Sequence, residues 1–192
     1  MTGIEKDADH YNKVYRNEDG KTFEQYLVDP EKCIYLKLWK NILNCINKSE
    51  RILDLGCGPG QFAQLTIRYG YQYYKGVDFS SQAILLAQKR NPEIEHKFIV
   101  DDLSQYEFPD PSEYDVVVLI EVMEHIIKDI QLLTSIPKGK HIVLSVPNYP
   151  FDGHVRIFPK IKDVHSRYDK YIKGITIPMA SNRIFIVTGE RI

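Results

Sequence analysis

Arg51-Ile-Leu-Asp-Leu-Gly-Cys-Gly-Pro-Gly-Gln61 is the stretch on which the reading of this chain turns. Its first five residues form a short apolar run of the kind buried as a strand in a parallel sheet. Gly56, Gly58 and Gly60 then allow backbone conformations and close approaches that a Cβ would block. Helix-like sequence resumes at Gln61-Phe-Ala-Gln-Leu65. Strand, glycine turn and helix N-terminus together make a nucleotide-binding arrangement, because the turn leaves N–H groups and room for a ligand against the main chain.

Outward from this stretch, strand and helix patterns alternate. Upstream, Asp29-Pro30-Glu31 reads as a helix start, with Tyr35, Leu38, Trp39, Ile42, Leu43 and Ile46 on one buried face. Downstream, strands are expected at 73–78, 97–100, 114–120 and 141–146, separated by helices. One of these opens at Ser80-Ser81 and stops at Asn91-Pro92, and another runs from Glu121 to Ser135. Residues 174–177 and 183–187 read as two further strands joined as a hairpin through 178–182. The fold class that follows is α/β: a doubly wound, mostly parallel seven-stranded sheet with helices on both faces and a C-terminal antiparallel hairpin. Residues 29–192 read as a single domain. Residues 1–28, polar with Tyr11, Tyr15 and Tyr26 among charges, read either as a surface arm or as a flap whose tyrosines cover a flat ligand.

Composition sets bounds. A chain of 192 residues with 43% hydrophobic and 27% charged residues is ordinary for a soluble globular protein. A net charge of −1 gives no global argument for nucleic acid or an anionic membrane. Cys33, Cys45 and Cys57 are odd in number and lack metal-type spacing, which points away from a disulfide framework and toward a reducing, cytoplasmic setting. No apolar run is long enough to span a bilayer, and the first residues lack a signal-peptide core.

A dinucleotide fingerprint would place its third glycine where this chain has Gln61, which weakens that reading. The motif 53–60 instead resembles the first motif of class I S-adenosylmethionine-dependent methyltransferases. The later strand ends agree with that family in spacing and type. The resemblance implies S-adenosylmethionine as cofactor, with S-adenosylhomocysteine as product. It implies a cofactor site in which Gly56, Cys57, Gly58, Gly60 and Gln61 form the loop and Asp54 is the loop-side acid. Asp78, about 20 residues past the turn, is where nucleotide-binding folds place a carboxylate for the ribose hydroxyls; Phe79 follows it. Asp102-Leu103 resembles the acid-plus-apolar pair beside the adenine, Glu121 lies near the cofactor, and Tyr11 is placed over it.

Glu121, Glu124 and His125 fall at i, i+3 and i+4, so on a helix they would share one face. This pattern resembles small-RNA 2′-O-methyltransferases, where it holds a divalent metal with a further histidine, and also ubiquinone-biosynthesis O-methyltransferases. His154 is the candidate fourth ligand, with His165 in reserve. The metal-free reading is preferred: Glu124 and His125 shape an acceptor pocket, and His125 and His154 are the base candidates, since imidazole titrates near neutral pH. His154 and Arg156 also offer groups to orient an anionic or phenolic acceptor. His10, His96 and His141 read as structural. The expected function is transfer of a methyl group to an oxygen or nitrogen of a small molecule. The alternatives are an RNA 2′-O-methyltransferase-like enzyme, motivated by the basic 149–173 segment, and a non-catalytic nucleotide-binding subunit.

Overall fold

The computed structural model describes residues 3–18, 23–176 and 183–192. Helix α1 is Ala8–Tyr15, capped by Asp7, whose side chain accepts from His10 N–H. Helix α2 is Phe23–Leu27. The single helix expected from Asp29 is divided. Asp29 caps a 3₁₀ turn, Pro30–Lys32, Cys33 is extended, and α3 spans only Leu36–Leu43. Asp29 also chelates the Arg68 guanidinium through both oxygens, so the turn is tied to a later helix rather than propagated. The expected face survives the break: Leu38, Trp39, Ile42 and Leu43 are all buried.

The glycine stretch joins β1, Arg51–Leu55, to α4, Gln61–Arg68. Then come β2, Gln72–Asp78; α5, Ser81–Arg90, capped by Ser80; and β3, Phe98–Val100. After these, β4 is Val116–Leu119, α6 is Asp129–Ser135 and β5 is His141–Pro147. The chain finishes with α7, Ile161–Tyr168; β6, Ile172–Thr176; and β7, Ile184–Arg191. The expected hairpin linker 178–182, and Ile177 before it, lie outside the described residues.

Among the described residues, seven strands form one sheet in the order β3-β2-β1-β4-β5-β7-β6. The first five are mutually parallel, while β7 runs antiparallel to β5 and β6. Period-two alternation places helices on both faces. Val116 and Val118 of β4 join the cluster of Trp39, Ile42, Phe62, Leu65 and Ile84. Val117 and Leu119 join Leu132, Leu133, Val164 and Tyr168 on the opposite side. Each fully buried Val or Leu contributes about 1.5–3 kcal/mol, which is why the short run 116–119 holds the middle of the sheet. No described helix is long and apolar enough to cross a membrane.

The expected helix from Glu121 is also corrected. Residues 121–128 form irregular turns, and regular helix begins only at Asp129. Glu121 is left-handed, φ 54°, an uncommon state for a residue with a Cβ. Its N–H donates to Ser145 Oγ at 2.8 Å, and its carboxyl accepts from the same hydroxyl at 2.7 Å. The β5 side chain thus turns the chain away from the helical path.

Candidate functional site

The carboxyl ends of β1 to β5 share one edge of the sheet, and the strand order reverses between β1 and β4, where open α/β sheets bind ligands. The glycine loop lies there. Gly56, Gly58 and Gly60 take φ values of 78°, 52° and 72°. A Cβ on Gly56 would lie 2.4 Å from Val122 Cγ2, and one on Gly60 would lie 2.8 Å from Ala87 Cβ. Gly58 is open on that side to the Tyr15 hydroxyl alone, at 3.2 Å. The loop therefore packs tightly at its two ends and presents backbone at its middle, toward α1.

Asp78 bridges loop and helix. Its Oδ2 accepts from Gly58 N–H and its Oδ1 from Ser80 N–H, both at 2.9 Å. Burial pushes its carboxyl up to about 6 against the pull of these two bonds. An ionised carboxylate has about four acceptor positions, so two donors leave capacity for more. Asp54 lies deeper, 1% exposed, accepting from Tyr73 Oη at 3.0 Å. Burial raises it to about 7, and neighbouring Asp78 adds to the shift.

The N-terminal residues cross this edge. Asn12 Oδ1 accepts from Ser80 Oγ at 2.8 Å and from Gln82 N–H at 3.2 Å. The Tyr11 ring lies 5.3 Å from Phe79, and its hydroxyl is 3.1 Å from His125 Nδ1. Further along, Gly3 N–H donates to His154 O, Glu5 accepts from Ile127 N–H, and Lys6 pairs with Asp152. Desolvation holds the Tyr11 and Tyr15 phenols above their ordinary range, so both are neutral. Of these contacts only the Asp7 cap could have been read locally, as a helix start.

Beyond Tyr11 lies a second cluster. One donor atom each from Glu124, His125 and His154 lies within 4.8 Å of the others, and the imidazole centroids are 4.9 Å apart. His125 Nδ1 is 3.1 Å from Gly153 O, and His154 Nδ1 is 3.2 Å from Tyr149 O. A carbonyl only accepts, so each Nδ1 carries the hydrogen and each Nε2 keeps a lone pair. Burial, then His154, pulls His125 down to about 4; burial also lowers His154. Both rings are therefore neutral near pH 7. Glu124 is fully buried, and neither carboxyl oxygen has a hydrogen-bond partner. Burial, and secondarily Glu121, raises it well above the usual carboxylate range. One carboxylate and two neutral imidazoles, each with its ring N–H on a backbone carbonyl, make a donor set suited to Mn²⁺, Fe²⁺ or Zn²⁺ rather than Mg²⁺.

The other residues named from the sequence are placed as follows. Glu121 lies outside the three-residue cluster, bonded to Ser145. The shared helical face does not exist, and Glu124 and His125 meet His154 through the turn instead. Gln61 spends its amide on the carbonyls of Gln25 and Val28. Cys57 is buried, its thiol pushed well up by desolvation. Asp102 is exposed at the end of β3, with its Oδ1 accepting from Ser104 N–H, and Leu103 beside it is half-buried. His165 pairs with Asp169 on α7, and His141 bonds Glu50 and Thr188. Arg156, expected to face an acceptor, is engaged with backbone carbonyls and Asp129. Arg167 also binds Asp129, so two cations of the basic 149–173 segment are used internally.

Residues 31–183 match the family model described as a methyltransferase domain. A ubiquinone biosynthesis O-methyltransferase of Neisseria meningitidis serogroup C is 35% identical over 85 residues, 41% of this chain and 34% of that protein. The chain thus matches only about a third of that relative's length. Two solved structures share the fold. The PH0226 protein of Pyrococcus horikoshii has a TM-score of 0.72 at 17% identity, over 94% of this chain and 99% of that one. The magnesium protoporphyrin IX methyltransferase of Synechocystis, solved with bound S-adenosylmethionine, has a TM-score of 0.63 at 20% identity over the whole of both chains.

Proposed function

This chain belongs to the methyltransferase-domain family, and from that premise we propose that it transfers a methyl group from S-adenosylmethionine to an oxygen or nitrogen of a small-molecule acceptor. The observation that carries the acceptor side is the placement of two neutral imidazoles across Tyr11 from the glycine loop. The loop's fit to the cofactor rests on Gly58, where a Cβ would fill the space between loop and α1.

In this reading the backbone of Gly56 to Gly60 and the Asp78 carboxylate hold the cofactor, with Asp54 beneath the loop and Phe79 and Tyr11 beside it. Asp102 and Leu103 would hold the adenine, and Glu121 the methionine end. The cofactor supplies a methyl carbon already activated by its cationic sulfur. The chain's task is then alignment, which contributes about 7–11 kcal/mol when reacting atoms are held in line. His154, with Nε2 unprotonated, takes the proton of a hydroxyl or ammonium acceptor, a step that supplies about 10²–10⁴-fold. His125, expected from its type to titrate near neutral pH, is pulled down to about 4 and is the poorer base. Residues 3–15 act as a flap, joined to both halves of the site. Calorimetry with S-adenosylmethionine and S-adenosylhomocysteine tests the cofactor half; no binding of either sinks the proposal. Radiolabelled methyl transfer across panels of phenols and amines tests the acceptor.

One observation supports a second reading, in which a divalent metal joins the acceptor side. A buried carboxyl without a hydrogen-bond partner is costly, and neither oxygen of Glu124 has one although one donor atom each from Glu124, His125 and His154 lies within 4.8 Å of the others. Glu124, His125 and His154 would hold the ion, which would lower the pKa of an acceptor hydroxyl. Cobalt(II) absorption decides it: d–d bands lost in the Glu124→Gln protein support the site, and a colourless wild-type protein removes it.

A further inference from the structure

The turn that carries Glu124 and His125 is not held by its own backbone. A helix would satisfy its carbonyls internally, but Glu121 is left-handed and helix begins only at Asp129. The carbonyls of Met123, Ile126 and Ile127 therefore need donors from elsewhere. One side chain serves all three. Arg156 Nη1 donates to Met123 O and, at 2.5 Å, to Ile126 O, while Nη2 donates to Ile127 O at 2.8 Å. Its neighbour Val155 donates its N–H to Glu124 O at 2.8 Å.

The guanidinium is itself anchored. Asp129 Oδ1 lies 3.2 Å from Arg156 Nη2 and also holds Arg167, while Tyr168 Oη donates to Asp129 Oδ2. Asp129 is fully buried. One buried carboxylate thus holds two guanidiniums, of which Arg156 is the more buried. A lysine would be a point charge with no planar fork and could not span three carbonyls in this way.

We propose that Arg156 is a positioning residue for the acceptor side: held by Asp129, it closes the carbonyls of the 123–127 turn and fixes Glu124 and His125 in front of His154. It acts through the turn. The inference rests on the proposed role of those three residues as the acceptor side.

The test is nitrogen-15 NMR of histidine-labelled full chain in the wild type, Arg156→Gln and Arg156→Lys, with S-adenosylhomocysteine affinity measured beside it. In the wild type, both imidazoles should hold the hydrogen on Nδ1. In Arg156→Gln, His125 should average between tautomers while cofactor affinity stays within about twofold, as expected for separated sites. Arg156→Lys, with charge but no fork, should fall between the two. A wild-type His125 signature in Arg156→Gln overturns the proposal. If Arg156→Gln fails to fold, Arg156→Lys decides. A shifted His125 with intact cofactor binding then supports the proposal, and an unshifted His125 overturns it. Absence of cofactor binding in the wild type would instead sink the methyl-transfer reading, leaving the His125 comparison standing.

Discussion

Asp54 and Asp78 are buried carboxyls whose folded values, about 7 and about 6, lie above those of an unfolded chain. The sign follows from linkage: a raised carboxyl is best held protonated, so its stabilising effect is full below about pH 4 and is lost as pH rises through 6 to 7. Between pH 5 and pH 8 the ligand-free protein therefore loses the contribution of these two carboxyls, while His125, held down at about 4, gains over the same range, so a single-site substitution is needed to separate them. Asp54→Asn keeps an acceptor for Tyr73 and removes the charge, so it should raise the melting temperature at pH 8 and change it little at pH 5. Equal melting shifts at both pH values would contradict the buried-charge account. Asp78→Asn has a different consequence, because Asn offers one acceptor oxygen where Gly58 and Ser80 present two donors. Losing charge-assisted bonds worth about 1.5–3 kcal/mol predicts roughly 10- to 100-fold weaker S-adenosylhomocysteine binding by calorimetry.

The glycine loop and α1 belong to the scale of elements. Gly139 is also left-handed, φ 81°, but a Cβ there meets nothing within 4 Å. Gly139→Ala should cost only the backbone term, about 1–2 kcal/mol, and leave cofactor binding unchanged. Gly60→Ala adds a collision with Ala87 Cα at 2.9 Å, which is backbone and cannot rotate away. Overpacking of that kind adds about 1–3 kcal/mol, so urea melts should rank Gly60→Ala well below Gly139→Ala. For α1, Tyr11→Phe removes the His125 contact and leaves the ring on Phe79. A lost hydrogen bond of about 0.5–1.5 kcal/mol predicts several-fold faster amide exchange across Ala8–Tyr15, with the sheet unaffected. Exchange that stays at the wild-type rate would mean that α1 is held by its other contacts, Asn12 and the Tyr11 ring on Phe79 among them.

At the scale of the whole molecule, the two halves of the edge should respond separately to their own perturbations. S-adenosylhomocysteine at about 100 times its Kd should stabilise the fold by about 2.7 kcal/mol. That gain should survive in His154→Ala and shrink in Asp78→Asn, as read by thermal melts with and without ligand. Loss of the gain in both variants would show that the edge behaves as one site.

The sheet and the glycine loop were legible because their signals are local. An apolar run such as 52–55 or 116–119, buried on both faces, has few fates besides a central strand. A glycine turn announces its left-handed angles by composition alone. Asp78 stands at a strand end, and its place follows from strand length. The cluster of Glu124, His125 and His154 was decided only by tertiary structure. Spacing predicted a helix through Glu121, Glu124 and His125, and a hydroxyl on β5 turned the chain out of it. Tyr11 reaches His125 across 114 residues, and Arg156 supplies the turn's missing donors from another loop. Such contacts are chosen by which unsatisfied groups meet once the strands have paired, and no periodicity in a single segment records them. The stretch 51–61 and the strands that follow it determined the fold and the family; the side chains that come together at the sheet's edge decided the rest.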